Sequence, residues 1–141
     1  MEPAKNKVQI RYMGGYRYQL IEDYSVQTKI FGQLIDNKYI RLQTDGVLTI
    51  SSGYCWDGAS GPAVDSKTIM RGSLIHDALY QLLRLEVLAE KFRQACDREL
   101  YTACRDDGMS WIRANYIYRA VRWFGRSSAA AENRRVIREA P

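Results

Sequence analysis

The hydrophobic period of this chain changes once, at Pro62, and that change limits the folds open to it. Before Pro62 the pattern is that of strands. Tyr16-Arg-Tyr-Gln-Leu-Ile21 is aromatic and branched, and Lys38-Tyr-Ile-Arg-Leu42 alternates apolar with polar positions. Thr44-Asp-Gly46 separates that run from Val47-Leu-Thr-Ile-Ser51, a hairpin signal, and Gly14-Gly15 and Asp36-Asn37 mark two further turns. One small antiparallel sheet is predicted.

After Pro62 the period becomes helical. Asp65 or Ser66 can cap a helix running to about Arg84, with Leu74, Ile75, Ala78, Leu79, Leu82 and Leu83 at helical spacing. A second helix is predicted from about Glu86 to Arg105, with Leu88, Phe92, Ala95, Leu100 and Ala103 inward, ended by Asp106-Asp-Gly108. Ser110 caps a third, Trp111 to Phe124, which Gly125 is expected to stop. Strands first and helices after imply an α+β fold. Residues 1–125 are expected to form a single α+β domain, and 126–141 a basic C-terminal helix or tail.

Composition narrows the classes. The chain has 141 residues, enough for one ordinary core. Its three cysteines are an odd number. Cys96 and Cys104 fall in one predicted helix about 12 Å apart along its axis, too far to bridge. A reducing compartment is the simpler expectation, and no zinc spacing is present. Met1 to Ser25 is polar, so no signal peptide is expected, and no apolar run approaches membrane-spanning length.

The residues suited to chemistry cluster in two segments. Gly53-Tyr-Cys-Trp-Asp-Gly-Ala-Ser-Gly-Pro62 is a turn-rich loop, and Leu74-Ile-His-Asp-Ala-Leu-Tyr80 carries the only histidine. His76 and Tyr80, at i and i+4, share a helix face, whereas Asp77 is turned by about 100°. If the first two helices pack antiparallel about a short Leu85-Glu86 turn, Asp97 can meet His76. A carboxylate on one ring nitrogen fixes the tautomer and leaves the other to take a proton from water. Loop carbonyls with a carboxylate suit a hard cation such as calcium.

This order of loop, His-Asp-x-x-Tyr and later Cys-Asp-Arg resembles the secretory phospholipase A2 pattern. The resemblance implies a calcium-dependent ester hydrolase in which His76 is the base, Asp97 orients it and Tyr80 supports that pair. Asp77 would be a calcium ligand, with loop carbonyls around Trp56, Gly58 and Ser60 and an added carboxylate from Asp57. The disulfide-free spacing is closer to the parvoviral capsid version than to the venom or pancreatic enzymes. The loop lacks those enzymes' Gly-x-Gly-Gly arrangement.

A longer stretch, residues 38 to 125, resembles an uncharacterised family encoded largely by tailed bacteriophages and prophages. It joins Gly-Tyr-x-Trp-Asp-Gly-Ala-Ser-x-Pro, His-Asp-x-Leu-Tyr, Ala-x-Asp-Arg and Ala120-Val-Arg-Trp-Phe-Gly125. That resemblance implies a phage protein in the bacterial host cytoplasm or the virion. The alternative to the enzyme is a non-enzymatic virion component, or a factor binding a host protein, in which His76, Asp77, Tyr80 and Asp97 form a polar network that fixes helix packing.

The net charge of +5 is concentrated late: from Arg105 to Pro141 eight arginines face four acids. Arg119, Arg122 and Arg126 fall on one helical stripe, which suits an anionic surface or, as the simpler alternative, a solvated face whose arginine stems cover aromatic rings. No nucleic-acid-binding signature accompanies them, so phospholipid or another protein is the expected partner.

Overall fold

A computed structural model describes residues 10, 12–13, 18–58 and 66–129. Strands β1 (Tyr12–Met13), β2 (Tyr18–Leu20), β3 (Tyr24–Gln27), β4 (Ile35–Asp36), β5 (Ile40–Leu42), β6 (Val47–Ile50) and β7 (Cys55–Trp56) precede helices α1 (Lys67–Arg84), α2 (Arg93–Asp106) and α3 (Trp111–Ser128). The fold is α+β, with all strands antiparallel. The described residues divide into two compact units, one holding the strands, up to Asp57, and one holding the helices, from Gly58 onward.

The strands form two sheets rather than the predicted one, ordered β1-β2-β7 and β3-β6-β5-β4. Both grow from one bent ribbon. Tyr18 lies opposite Trp56 and Tyr24 opposite Ile50, so the two halves share a register. The ribbon turns its corner where Ile21–Asp23 faces Ser51–Gly53. There the Ser52 amide donates to Asp23 Oδ1 (2.8 Å), the Ser52 hydroxyl donates to the Ile21 carbonyl (2.8 Å), and the Gly53 amide donates to the Leu20 carbonyl (2.7 Å). These bonds satisfy backbone groups that a straight ladder would have paired.

Beyond the corner, Ile40 and Leu42 of β5 and Leu48 and Ile50 of β6 are buried at alternate positions, the period expected of a half-buried sheet. Asn37 closes the β4–β5 turn, its Oδ1 accepting from the Tyr39 and Ile40 amides. Strand β7 places Trp56, which sequence patterning left in a loop, against Tyr18 with ring centroids 5.5 Å apart.

In the helical unit, Ser66 is the N-cap residue of α1, whereas Asp65 lies outside the described residues. The helix ends where Glu86 takes φ 60°, while the Val87 and Leu88 amides both donate to the Leu82 carbonyl. That reversal consumes the residues predicted to open the second helix. Glu90–Phe92 instead form a 3-10 turn, and α2 begins at Arg93. Arg71 lies near Asp107, and His76 near Asp97, so α1 and α2 run antiparallel.

Ser110 caps α3, accepting from the Arg113 amide, and Ile69, Leu100, Cys104, Met109, Ala114 and Ile117 form a shared core. Helix α3 continues past Gly125, which keeps helical rather than left-handed geometry. No helix among the described residues is long and apolar enough to cross a membrane.

Gly46 in the β5–β6 turn has φ +87°, and a Cβ there would meet the Thr28 carbonyl oxygen at 2.6 Å; Gly32 has φ +78° with nothing within 4 Å. Gly32→Ala should therefore cost only the left-handed conformation, about 1–2 kcal/mol. Gly46→Ala should cost about 1–3 kcal/mol more for the clash. Urea denaturation of both variants measures the difference, and equal losses would contradict this geometry.

Candidate active site

Helix α1 is enclosed around most of its circumference. From Ile69 to Arg84 every residue is buried except His76 and Asp77. Gly72 permits part of that enclosure: a Cβ there would lie 3.0 Å from both Cys104 Sγ and Leu100 Cδ1 of α2. The helix thus has a single break in its cover, at the His-Asp pair.

Asp97, wholly buried on α2, is the centre of the site. His76 Nε2 lies 2.7 Å from its Oδ1, and the Tyr80 hydroxyl donates to the same oxygen at 2.6 Å. Arg122 Nη1 of α3 donates to Oδ2 at 2.8 Å, and Arg93 Nη1 stands 3.8 Å from that oxygen. The four groups come from three helices. Burial opposes ionisation of Asp97, but the hydrogen bonds from His76, Tyr80 and Arg122 outweigh it and hold the carboxyl below its usual range.

An ionised carboxylate can only accept, so His76 Nε2 is the donor, and in the neutral ring Nδ1 carries the lone pair. The imidazole side chain is 15% exposed and lies over Tyr80, with centroids 4.0 Å apart. Burial, then the hydrogen bond and negative charge of Asp97, push the Tyr80 phenol far above its ordinary value. Tyr80 is therefore a neutral donor.

The structure brings His76, Tyr80 and Asp97 together as their spacing predicts. Asp77 sits at the same break in α1, with its Oδ1 3.9 Å from Arg84 Nη2. Trp56 is buried in β7, Asp57 is exposed, Gly58 opens the helical unit with φ +79°, and Ser60 lies outside the described residues. Among the described residues no cluster of three His, Cys, Asp or Glu side chains could hold a metal.

The expected arginine stripe is divided. Arg119 and Arg126 are exposed, but Arg122 turns to Asp97, whose buried negative charge it offsets at 2.8 Å. Cys96 and Cys104 are buried free thiols. Burial raises both, the latter to about 12, which leaves them protonated and inert. A pocket of about 420 Å3 is lined by Leu83, Glu86, Leu88, Ala89, Glu90, Arg126 and Ala129, and includes none of the residues on Asp97.

Sequence reasoning missed the parts played by Arg122 and Gly125. A Cβ on Gly125 would fall 2.3 Å from the Tyr80 oxygen, so the glycine admits the tyrosine rather than ending the helix. Helical spacing carries a signal for both: Ala114, Ile117, Val121 and Gly125 form the inward stripe, and Arg122 borders it. No protein family, curated protein or solved structure matches this chain.

Two outcomes follow. Because the folded value of Asp97 is depressed, its contribution to stability is complete above the unfolded carboxyl value, about 4, and is lost as pH falls through the lower folded value. Asp97→Asn should reduce stability at pH 7 by about 3–5 kcal/mol and flatten the acid limb of a urea-denaturation pH series; an unchanged acid limb would contradict it. Gly125→Ala gains about 1 kcal/mol of helix propensity, but should still destabilise the protein through overpacking on Tyr80. Adding Tyr80→Phe should recover part of that loss in a double-mutant cycle, whereas strict additivity would exclude the contact.

Proposed function

We propose that this is a phage-encoded ester hydrolase of the phospholipase A2 type, acting on phospholipid with His76 as general base. The supporting observation is the 2.7 Å pairing of His76 Nε2 with buried Asp97 at the one break in the cover of α1. In this mechanism Nδ1 takes a proton from water as its oxygen attacks the ester carbonyl. The imidazolium then gives that proton to the departing alkoxide, while Asp97 keeps the ring oriented through Nε2. No covalent enzyme intermediate forms. Tyr80 and Arg122 are positioning residues, since each acts through Asp97.

Calcium belongs to the same proposal, held by Asp77 and carbonyls of the Trp56–Gly61 loop, where it would polarise the ester carbonyl. Asp77 is only one oxygen donor group for an ion that takes six to eight oxygens, and it shares its carboxylate with Arg84 at 3.9 Å. The described residues do not by themselves make such a site, and the proton transfers require only His76, Asp97 and water.

A second function is favoured by the completeness of the contacts on Asp97. Its two oxygens receive hydrogen bonds from α1 and α3, with Arg93 of α2 at 3.8 Å, which suits a structural network in a non-enzymatic virion component or host-binding protein. Fatty-acid release from mixed phospholipid vesicles separates the two. With calcium, wild type should exceed His76→Ala by about 100-fold or more, and Asp77→Asn should lose the calcium dependence. Background release from all three proteins would leave the structural network as the function.

A further inference from the structure

Helix α3 has an unusual outward face. At about 100° per residue, positions 112, 116, 119, 123 and 126 fall within a sector of roughly 80°. On it Ile112 is 68% exposed, Tyr116 58% and Trp123 81%, and Arg119 and Arg126 are exposed between and beyond them. Trp111 and Phe124 are also exposed. The helix contains four arginines and no acidic residue. The exposed positions of α2 differ, mixing Arg98, Arg105 and Asp106 as a solvated surface does.

Large exposed apolar side chains grouped on one face mark an interaction surface. Tryptophan and tyrosine fit the boundary between lipid headgroups and acyl chains, where the ring body is apolar and the N–H or O–H stays wet. Arginine beside them reaches phosphate. We propose that this stripe docks α3 flat on an anionic phospholipid bilayer, with Ile112, Tyr116 and Trp123 entering the headgroup–acyl boundary and Arg119 and Arg126 on lipid phosphates. The inference rests on the lipid substrate of the preceding section and deepens it.

Charge and composition favour a bilayer over other occupants. Arg119 and Arg126 stand about 10 Å apart along the axis, with tryptophan between them and isoleucine at the start of the stripe. An aliphatic side chain has no role along a phosphate backbone but gains by entering lipid. The absence of acids from α3 suits a negative surface and disfavours head-on pairing with a second copy of the same face. The flank of this helix also bears Arg122, and its inward side Gly125, so the element meeting lipid is the one that braces Asp97 and Tyr80.

The test is sedimentation of the full chain with sucrose-loaded vesicles of phosphatidylcholine alone or mixed equally with phosphatidylglycerol, in EDTA at low salt. Sedimentation in the His76→Ala background reads docking without hydrolysis, and the charge-reversed variant with His76 and calcium present should keep hydrolysis of dispersed short-chain ester, so the two failures are distinguishable. Partition into anionic vesicles should exceed that into neutral ones by about tenfold or more. Arg119→Glu with Arg126→Glu should remove that excess, and Trp123→Ala should weaken binding several-fold and abolish a vesicle-induced blue shift in tryptophan fluorescence, with circular dichroism unchanged. No binding, equal binding by the charge-reversed variant, a Trp123-dependent dimer in place of vesicle binding, or binding of an oligonucleotide instead would each overturn the proposal.

Discussion

A buried carboxylate is the constraint on which the helical unit depends. Removing an ion such as Asp97 from water costs several kcal/mol, and leaving it without partners would cost stability that a small domain does not have. Donors from α1 and α3 converge on it, and α2 supplies both the carboxylate and Arg93. The apolar cluster of Ile69, Leu100, Met109 and Ile117 supplies burial but little angular specificity, since apolar side chains of similar volume tolerate repacking. A one-residue slip of α2 would rotate Asp97 by about 100° and strand its partners. Apolar contact therefore gathers the helices, and the carboxylate selects their register.

The same constraint gives His76 its chemical character. Nearly all of α1 is shut in by its neighbours, yet the imidazole keeps part of its surface at the break beside Asp77. One ring nitrogen is held by Asp97, which determines how the other is presented. Arg122 draws on the opposite carboxylate oxygen, so the positive charge that stabilises the fold also bears on the group that orients the imidazole. Fold stability and the proposed reactivity of His76 would share one residue, Asp97.

Legibility of these features in the sequence followed their range. The His76–Tyr80 pairing is local, fixed by helical period, and Asp97 could be placed because two antiparallel helices joined by a short turn bring positions equidistant from that turn together. Arg122 could not be placed in this way, since an arginine on the border of an amphipathic stripe suits solvent as well as a buried acid. Gly125 reads as a stop because a glycine near a helix end commonly marks one, and only the Tyr80 oxygen packed against it explains a glycine inside a continuing helix. The strands Ile40–Leu42 and Val47–Ile50 and their hairpin were plain from alternation. The corner at Ile21–Asp23 was not, because its cause is a pair of side chains, Asp23 and Ser52, 29 positions apart.

The chain's single histidine makes the central pairing open to direct measurement. Long-range nitrogen–proton correlation spectra of uniformly labelled protein, taken at alkaline pH on the neutral ring, report the tautomer of that one ring without any need for assignment. A ring protonated at Nε2 and bare at Nδ1, with that pattern lost in Asp97→Asn, is the result required by a buried carboxylate holding the imidazole. The opposite tautomer, or a spectrum that Asp97→Asn leaves unchanged, would contradict it.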